Sequence, residues 1–431
     1  MARYRGIGLQ RFSPPSATMQ YMSVHFSSRV DGSRPNAISL AEARCRRDGV
    51  ALTKLNDSNP TRHGLAPALV PGVYEANPRG PLAARRALAE FLAAGGADKG
   101  AGENAGGIPA EAHDECSGVD PDRLYLLSST SEAYSWLMKL LCDPGDAVLA
   151  PKPGYPLIES IARLENVETI EYSLMFDGSW FFDLPRIEEI LDSDEGSRIR
   201  AMVLINPNNP TGSYVKPEER RRLVAMCREH EVAIIADEVF FGYDLEPFAG
   251  NARLAGESGV LTFALDGFSK MLAAPHAKVG WIEVSGPEAD VAEAQARLDV
   301  IADDFLPMSD IIAERIPDLL AAAPGQTARV RERTRGNLAR LHDLLATDPL
   351  GVTSVLRAEG GWNVLLRFPS SIDESELVLS LIRDHRATAQ PGFFFDMTSN
   401  GYLAVSLLPE PDVFEAGIRA VLAAIGEMLG E

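Results

Sequence analysis

Residues 266–281 read DGFSKMLAAPHAKVGW. Lys270 follows an apolar run, 261–265 (LTFAL), and precedes another, 279–284 (VGWIEV). Short runs that are apolar on both faces are what strands buried between helices look like. A lysine at such an exit stands at the mouth of a sheet, where the carboxyl ends of parallel strands form ligand crevices. Most lysines are solvated surface residues, so the weight of the reading falls on what surrounds this one.

Outward from it, the same strand signal recurs at 123–128 (RLYLLS), 147–150 (AVLA), 200–205 (RAMVLI) and 232–236 (VAIIA). Helical patterns lie between the runs, at 131–142 and 217–230. The second begins with Pro217, where a missing N–H is harmless, followed by Glu218 and Glu219 at the positive end of the helix dipole. This alternation predicts an α/β fold, a mainly parallel central sheet with helices on both faces. Beyond residue 290 the pattern changes to helices at 291–303 and 327–346, then strands at 361–368 and 401–407 with helices at 374–385 and 413–429. A smaller α+β C-terminal domain is expected there. The chain of 431 residues thus divides into an N-terminal arm joining the small domain (1–50), a large α/β domain (51–290) and the small domain (291–431). Residues 95–118, rich in Gly, Ala and acids, read as a loop inserted after a helix at 82–94.

With 41 Lys+Arg against 61 Asp+Glu, the net charge is −20. Such a surface repels phosphates, which argues against nucleic acid or an anionic membrane as main partner. Cys45, Cys116, Cys142 and Cys227 show no CxxC spacing, so neither a disulfide framework nor a zinc site is expected, and no other metal. No apolar run is long enough to span a bilayer. Arg3, Arg5 and Arg11 give the first residues a composition resembling a transit peptide, but the expectation is an arm lying on a partner subunit, in a cytoplasmic protein.

Three more strand exits carry informative residues. After RAMVLI comes NPNNPTG (206–212), a tight turn that can present an Asn side chain to a ligand. After VAIIA comes ADEVFFGY (236–243), which puts Asp237 at a strand end, where a buried carboxylate needs a cationic partner. After RLYLLS comes a serine-rich helix start, 129–131, which can cap a helix.

NPNNPTG, then ADEVFFGY, then DGFSK with KVGW, each behind a strand, resemble the signature set of the class I/II aminotransferases, pyridoxal-phosphate (PLP) enzymes of fold type I. The resemblance extends from about residue 52 to 429. It implies that Lys270 forms the Schiff base with PLP and then takes the substrate Cα proton. It also implies that Asp237 pairs with the pyridine nitrogen, Asn209 donates to O3′, and Tyr155 (in PKPGYP) stacks on the ring. Ser129, Thr130, Ser131, Ser269 and Lys278 match the family's phosphate ligands. Tyr74 (in VPGVYEANPRG) matches the tyrosine that reaches the phosphate of a neighbouring subunit, so a homodimer with shared active sites is expected. The implied activity is amino-group transfer from an amino acid to a 2-oxo acid. The same lysine and aspartate would serve a β- or γ-elimination lyase, and a non-catalytic ligand sensor is a further option.

Three positions depart from the family pattern. Lys278 stands for an arginine and loses the bidentate fork. Phe240 stands for a tyrosine that donates to O3′. Ala404, in YLAVSLL (402–408), stands for the arginine that clamps the substrate carboxylate. Candidate substitutes for that clamp are Arg62 and Asn59 (in SNPTRHGL) and Arg367 and Asn363 (in WNVLLRF). The aromatic loop 390–396 (QPGFFFD) suggests an apolar side-chain pocket.

Overall fold

The computed structural model describes residues 24–29, 43–50, 72–96, 118–246 and 253–430. Helix α1 (Leu82–Ala93) precedes strand β1 (Leu124–Leu127) and helix α2 (Thr130–Leu141). Strands β2 (Ala147–Lys152), β3 (Glu168–Phe176), β4 (Trp180–Phe182), β5 (Ile199–Ile205), β6 (Ala233–Asp237), β7 (Thr262–Gly267) and β8 (Gly280–Ser285) complete an eight-stranded sheet in the order β1-β8-β7-β6-β5-β2-β3-β4.

The strands from β7 through β6, β5 and β2 to β3 run parallel. β8 reverses direction between β7 and β1, and β4 reverses at the far edge. The two reversals about β8 cancel, so β1 runs in the same sense as β7. The carboxyl ends of β1, β2, β5, β6 and β7 therefore share one rim of the sheet, the place where an open α/β sheet offers a crevice.

The central strands are almost wholly buried, which is why they read as continuous apolar runs. β3 and β4 escaped the sequence reading because β3 is only half-buried and alternates polar with apolar residues. Helix α3 (Pro217–Glu229) begins at the expected proline, and the Glu219 side chain accepts from the Lys216 N–H at 2.9 Å.

Helices α4 (Glu288–Phe305) and α5 (Ile316–Thr347) lead to a second, four-stranded sheet. Its strands are β9 (Ser354–Val355), β10 (Asn363–Arg367), β11 (Gln390–Pro391) and β12 (Tyr402–Ser406), ordered β11-β12-β10-β9 and antiparallel. Helix α6 (Pro411–Leu429) covers it with Phe414, Ile418, Val421 and Ile425, which are buried with Val364, Leu366 and Val405. The α5 helix starts eleven residues before the expected 327 and carries Pro324 within it. Nearly all of the inserted stretch 95–118 lies outside the described residues, as do most of 1–50 and Cys116. Among the described residues no helix is long and apolar enough to cross a membrane.

Candidate active site

The shared rim carries Ser129, Tyr155, Asn209, Asp237 and Lys270, at or just beyond the ends of β1, β2, β5, β6 and β7. Ser129 caps α2, its hydroxyl accepting from the Glu132 N–H at 3.2 Å. Helix geometry leaves the N–H groups of Thr130 and Ser131 without intrahelical acceptors, and the helix dipole makes that end favourable to an anion. Gly280 lies against this turn. A Cβ on it would lie 3.1 Å from the Ser129 carbonyl carbon and 3.2 Å from the Thr130 nitrogen, so a side chain there would crowd this turn. Two residues before it, Lys278 occupies the left-handed region at φ 53°.

Asp237 ends β6 with 5% exposure. Its Oδ2 accepts from the Tyr134 hydroxyl at 3.0 Å and its Oδ1 from the Val239 N–H at 3.3 Å. Burial pushes its pKa up to about 6, against the pull of these two donors and of the Lys270 charge. Tyr155 is half-buried and feels that carboxylate: burial first, then the Asp237 charge, raises its hydroxyl pKa.

Lys270 sits on the one-turn helix Phe268–Met271 that follows β7. Burial lowers its pKa, and Asp237 opposes the shift. Its Nζ lies 5.4 Å from the ring centres of both Phe240 and Trp362, within cation–π range. The turn is pinned from beneath: the Tyr243 hydroxyl donates to the carbonyls of Lys270 (2.7 Å) and Met271 (3.1 Å), and the Thr327 hydroxyl donates to Met271 (2.7 Å). Ser269 is half-buried beside Lys270.

Asn209 follows β5 and accepts through Oδ1 from the Asn363 side chain at 2.9 Å. The small sheet thus reaches the rim directly. Within the NPNNPTG turn, Asn208 Oδ1 accepts from the Thr211 N–H and hydroxyl (3.2 and 2.9 Å), a self-bonded turn of the kind its composition suggests.

The candidate carboxylate ligands separate. Asn363 is at the rim, whereas Arg367 is exposed at the other end of β10, four residues on and about 13 Å away along the strand. The structure therefore does not bring Arg367 to Lys270. Asn59 and Arg62 lie outside the described residues. Tyr74 is 39% exposed on the segment before α1. Ala404 is buried in a cluster that includes Leu365 and Phe395, so the position where the resemblance expects an arginine is packed as apolar core.

Sequence reasoning missed Tyr134 and Trp362. A tyrosine on the buried face of α2 looks like core; its contact with Asp237 depends on the tertiary approach of α2 to β6. His25, Asp143 and Asp146 bring possible ligand atoms within 4.8 Å of one another. Asp143 already accepts from Ser27 and Ser28, and Asp146 pairs with Arg200.

The residues fit PLP. A helix N-terminus with N–H groups lacking intrahelical acceptors suits its phosphate, a buried carboxylate suits its ring nitrogen, and a half-buried lysine of lowered pKa suits its aldehyde. When bound, the group serves as the electron sink for chemistry at the substrate Cα.

The family model for aminotransferase class I and II matches residues 76–416. The chain is 25% identical over 405 residues to an alanine aminotransferase of Mycobacterium tuberculosis, covering 90% of this chain and 87% of the relative. It is 26% identical over 313 residues to a glutamate-pyruvate aminotransferase of Haemophilus influenzae, covering 70% and 74%. In fold it is similar to the α-aminoadipate aminotransferase of Thermus thermophilus, solved with N-(5'-phosphopyridoxyl)-L-leucine: TM-score 0.65, 22% identity, 83% of this chain and 84% of that one. The chain belongs to the class I and II aminotransferases, PLP-dependent enzymes whose substrates are amino acids and 2-oxo acids.

Proposed function

We propose the following division of labour for amino-group transfer from an α-amino acid to a 2-oxo acid. Lys270 would hold the cofactor aldehyde and, when free of it, its Nζ would carry the proton from the substrate Cα. Its lowered pKa suits a base that must be neutral when it acts. Asp237, supported by Tyr134, would hold the cofactor's ring nitrogen and keep it protonated. Ser129, Thr130, Ser131, Ser269 and Lys278 hold the phosphate. Asn209 is held by Asn363 so that its amide can face the ring oxygen, and Tyr155 packs on the ring. Tyr74 serves the partner subunit's phosphate in a cytoplasmic homodimer with shared sites, within amino-acid biosynthesis. The large unit is 51–290 and the small unit 291–431. Asn363 contacts the substrate, whose carboxylate depends on groups other than an arginine at 404.

The observation that carries the reading is the convergence of Lys270 and Asp237 on one rim, with an open helix N-terminus beside them. Purified protein should carry a PLP absorbance band that an amino acid such as alanine bleaches, with pyridoxamine phosphate formed and a 2-oxo acid restoring the band. Lys270→Ala should abolish turnover, a loss of about 10⁴-fold or more. Release of ammonia and a 2-oxo acid without any acceptor would replace transfer by elimination. Elution as a monomer at working concentration would remove the role given to Tyr74.

A further inference from the structure

We propose that Lys152 is a positioning residue: by binding Asp396 it locks loop 392–396 of the small sheet against 151–155 and so sets where the ring of Tyr155 lies. The inference rests on the stacking role given to Tyr155 above.

Lys152 ends β2, three residues before Tyr155, and is 9% exposed. Its ammonium binds the Asp396 carboxylate, with Glu171 at 3.4 Å and Glu159 at 3.8 Å. A buried ammonium stripped of its carboxylates is strongly disfavoured, so loop and strand end hold each other in register. A second bond lies beside the first: the Gly154 N–H donates to the Phe395 carbonyl at 3.2 Å. Gly154 must be glycine, because a Cβ there would sit 2.2 Å from the Pro151 carbonyl oxygen. Tyr155 is the next residue, so any displacement of Gly154 moves its ring.

The loop offers a firm support. Glu374, 2% exposed, accepts from the N–H groups of Phe393 (3.0 Å), Gly401 (2.9 Å) and Tyr402 (2.8 Å), which fixes the loop to the root of β12. Phe395 is buried in an apolar cluster that draws on both sheets, with Leu149 and Tyr172 from one and Leu365 from the other. The small sheet thus bears on the turn before Tyr155 through one ion pair, one backbone bond and one buried ring. An exposed lysine would read as a solvated charge; this one is buried beneath three carboxylates, one each from a strand, a helix and a loop.

The test uses holoenzyme and two readouts: the circular dichroism of the bound PLP band, which reports ring orientation, and kcat against KM. Lys152→Met and Asp396→Asn should each change the dichroism and lower kcat about tenfold, with unchanged PLP stoichiometry, and Lys152→Arg should restore both. In a Tyr155→Ala background, Lys152→Met should add nothing further. Equal effects of Lys152→Met in both backgrounds, or none in the parent, would overturn the proposal. If Tyr155→Ala itself leaves the dichroism intact, the stacking role fails and the inference falls with it; if Tyr155→Ala acts and Lys152→Met does not, only the inference falls. Should Lys152→Met not fold, Asp396→Asn alone, at a side chain 47% exposed, carries the same comparison.

Discussion

Asp237 is a carboxyl whose folded pKa, about 6, stands above its unfolded value near 3.8. The folded chain therefore holds the proton more tightly than the unfolded one, and stability of the cofactor-free protein falls as pH rises from about 4 to about 6. The displacement corresponds to about 3 kcal/mol. Asp237→Asn keeps an acceptor for Tyr134 and removes the charge. It should stabilise the cofactor-free form at pH 7 while abolishing most turnover; denaturant melts of both proteins at pH 4.5 and 7 check this, and parallel pH dependences would contradict it. Tyr134→Phe deletes the hydroxyl that favours the ionised carboxylate. Asp237 should then ionise later, and the acid limb of the pH–rate profile should move up by about one unit. Asp237 itself was legible from sequence, since an acid directly behind a buried strand has few structural excuses. Tyr134 was not, because nothing in a helical pattern says which core tyrosine will meet a carboxylate 103 positions away.

At the scale of elements, the reading of apolar runs found the central strands and therefore the rim, because strands buried on both faces declare themselves. It missed β3 and β4, whose partial exposure erases the run. It also could not foresee that β8 runs backwards between two strands that agree in direction, since direction depends on the connections and not on composition. That reversal is what puts Gly280 against the start of α2. Gly280→Ala should push on the Ser129–Thr130 backbone, which cannot yield as a flexible side chain could. PLP affinity, titrated on the cofactor-free enzyme, should fall about tenfold, with the kcat of the saturated enzyme much less affected. An unchanged affinity would show that this end of α2 does not hold the phosphate.

For the molecule as a whole, the charge of −20 means that long-range repulsion opposes compaction. Many of its local pairs, such as Arg186–Glu189 and Arg419–Glu415, are exposed and contribute little each. Raising salt from about 20 to about 200 mM should screen the repulsion more than it weakens those pairs, and the melting temperature should rise by a few degrees. A fall would mean that the pairs dominate. The small sheet's reach to the rim, through Asn363 and through the loop that binds Lys152, belongs to this scale too. No local pattern announces a contact between residues 244 positions apart.

Helix α2 has a further consequence. Its first turn offers the N–H groups of Thr130 and Ser131, and one turn later the same rigid rod presents Tyr134 to Asp237. The two stations are four residues, about 6 Å, apart along the axis, and no hinge lies between them. On the roles proposed above, the helix would be a gauge rod with one mark for the phosphate and another, through Asp237, for the ring nitrogen. On that proposal, a vitamer lacking the phosphate, or one with a longer arm between phosphate and ring, would satisfy one mark or the other, and only a ligand of matching length would satisfy both.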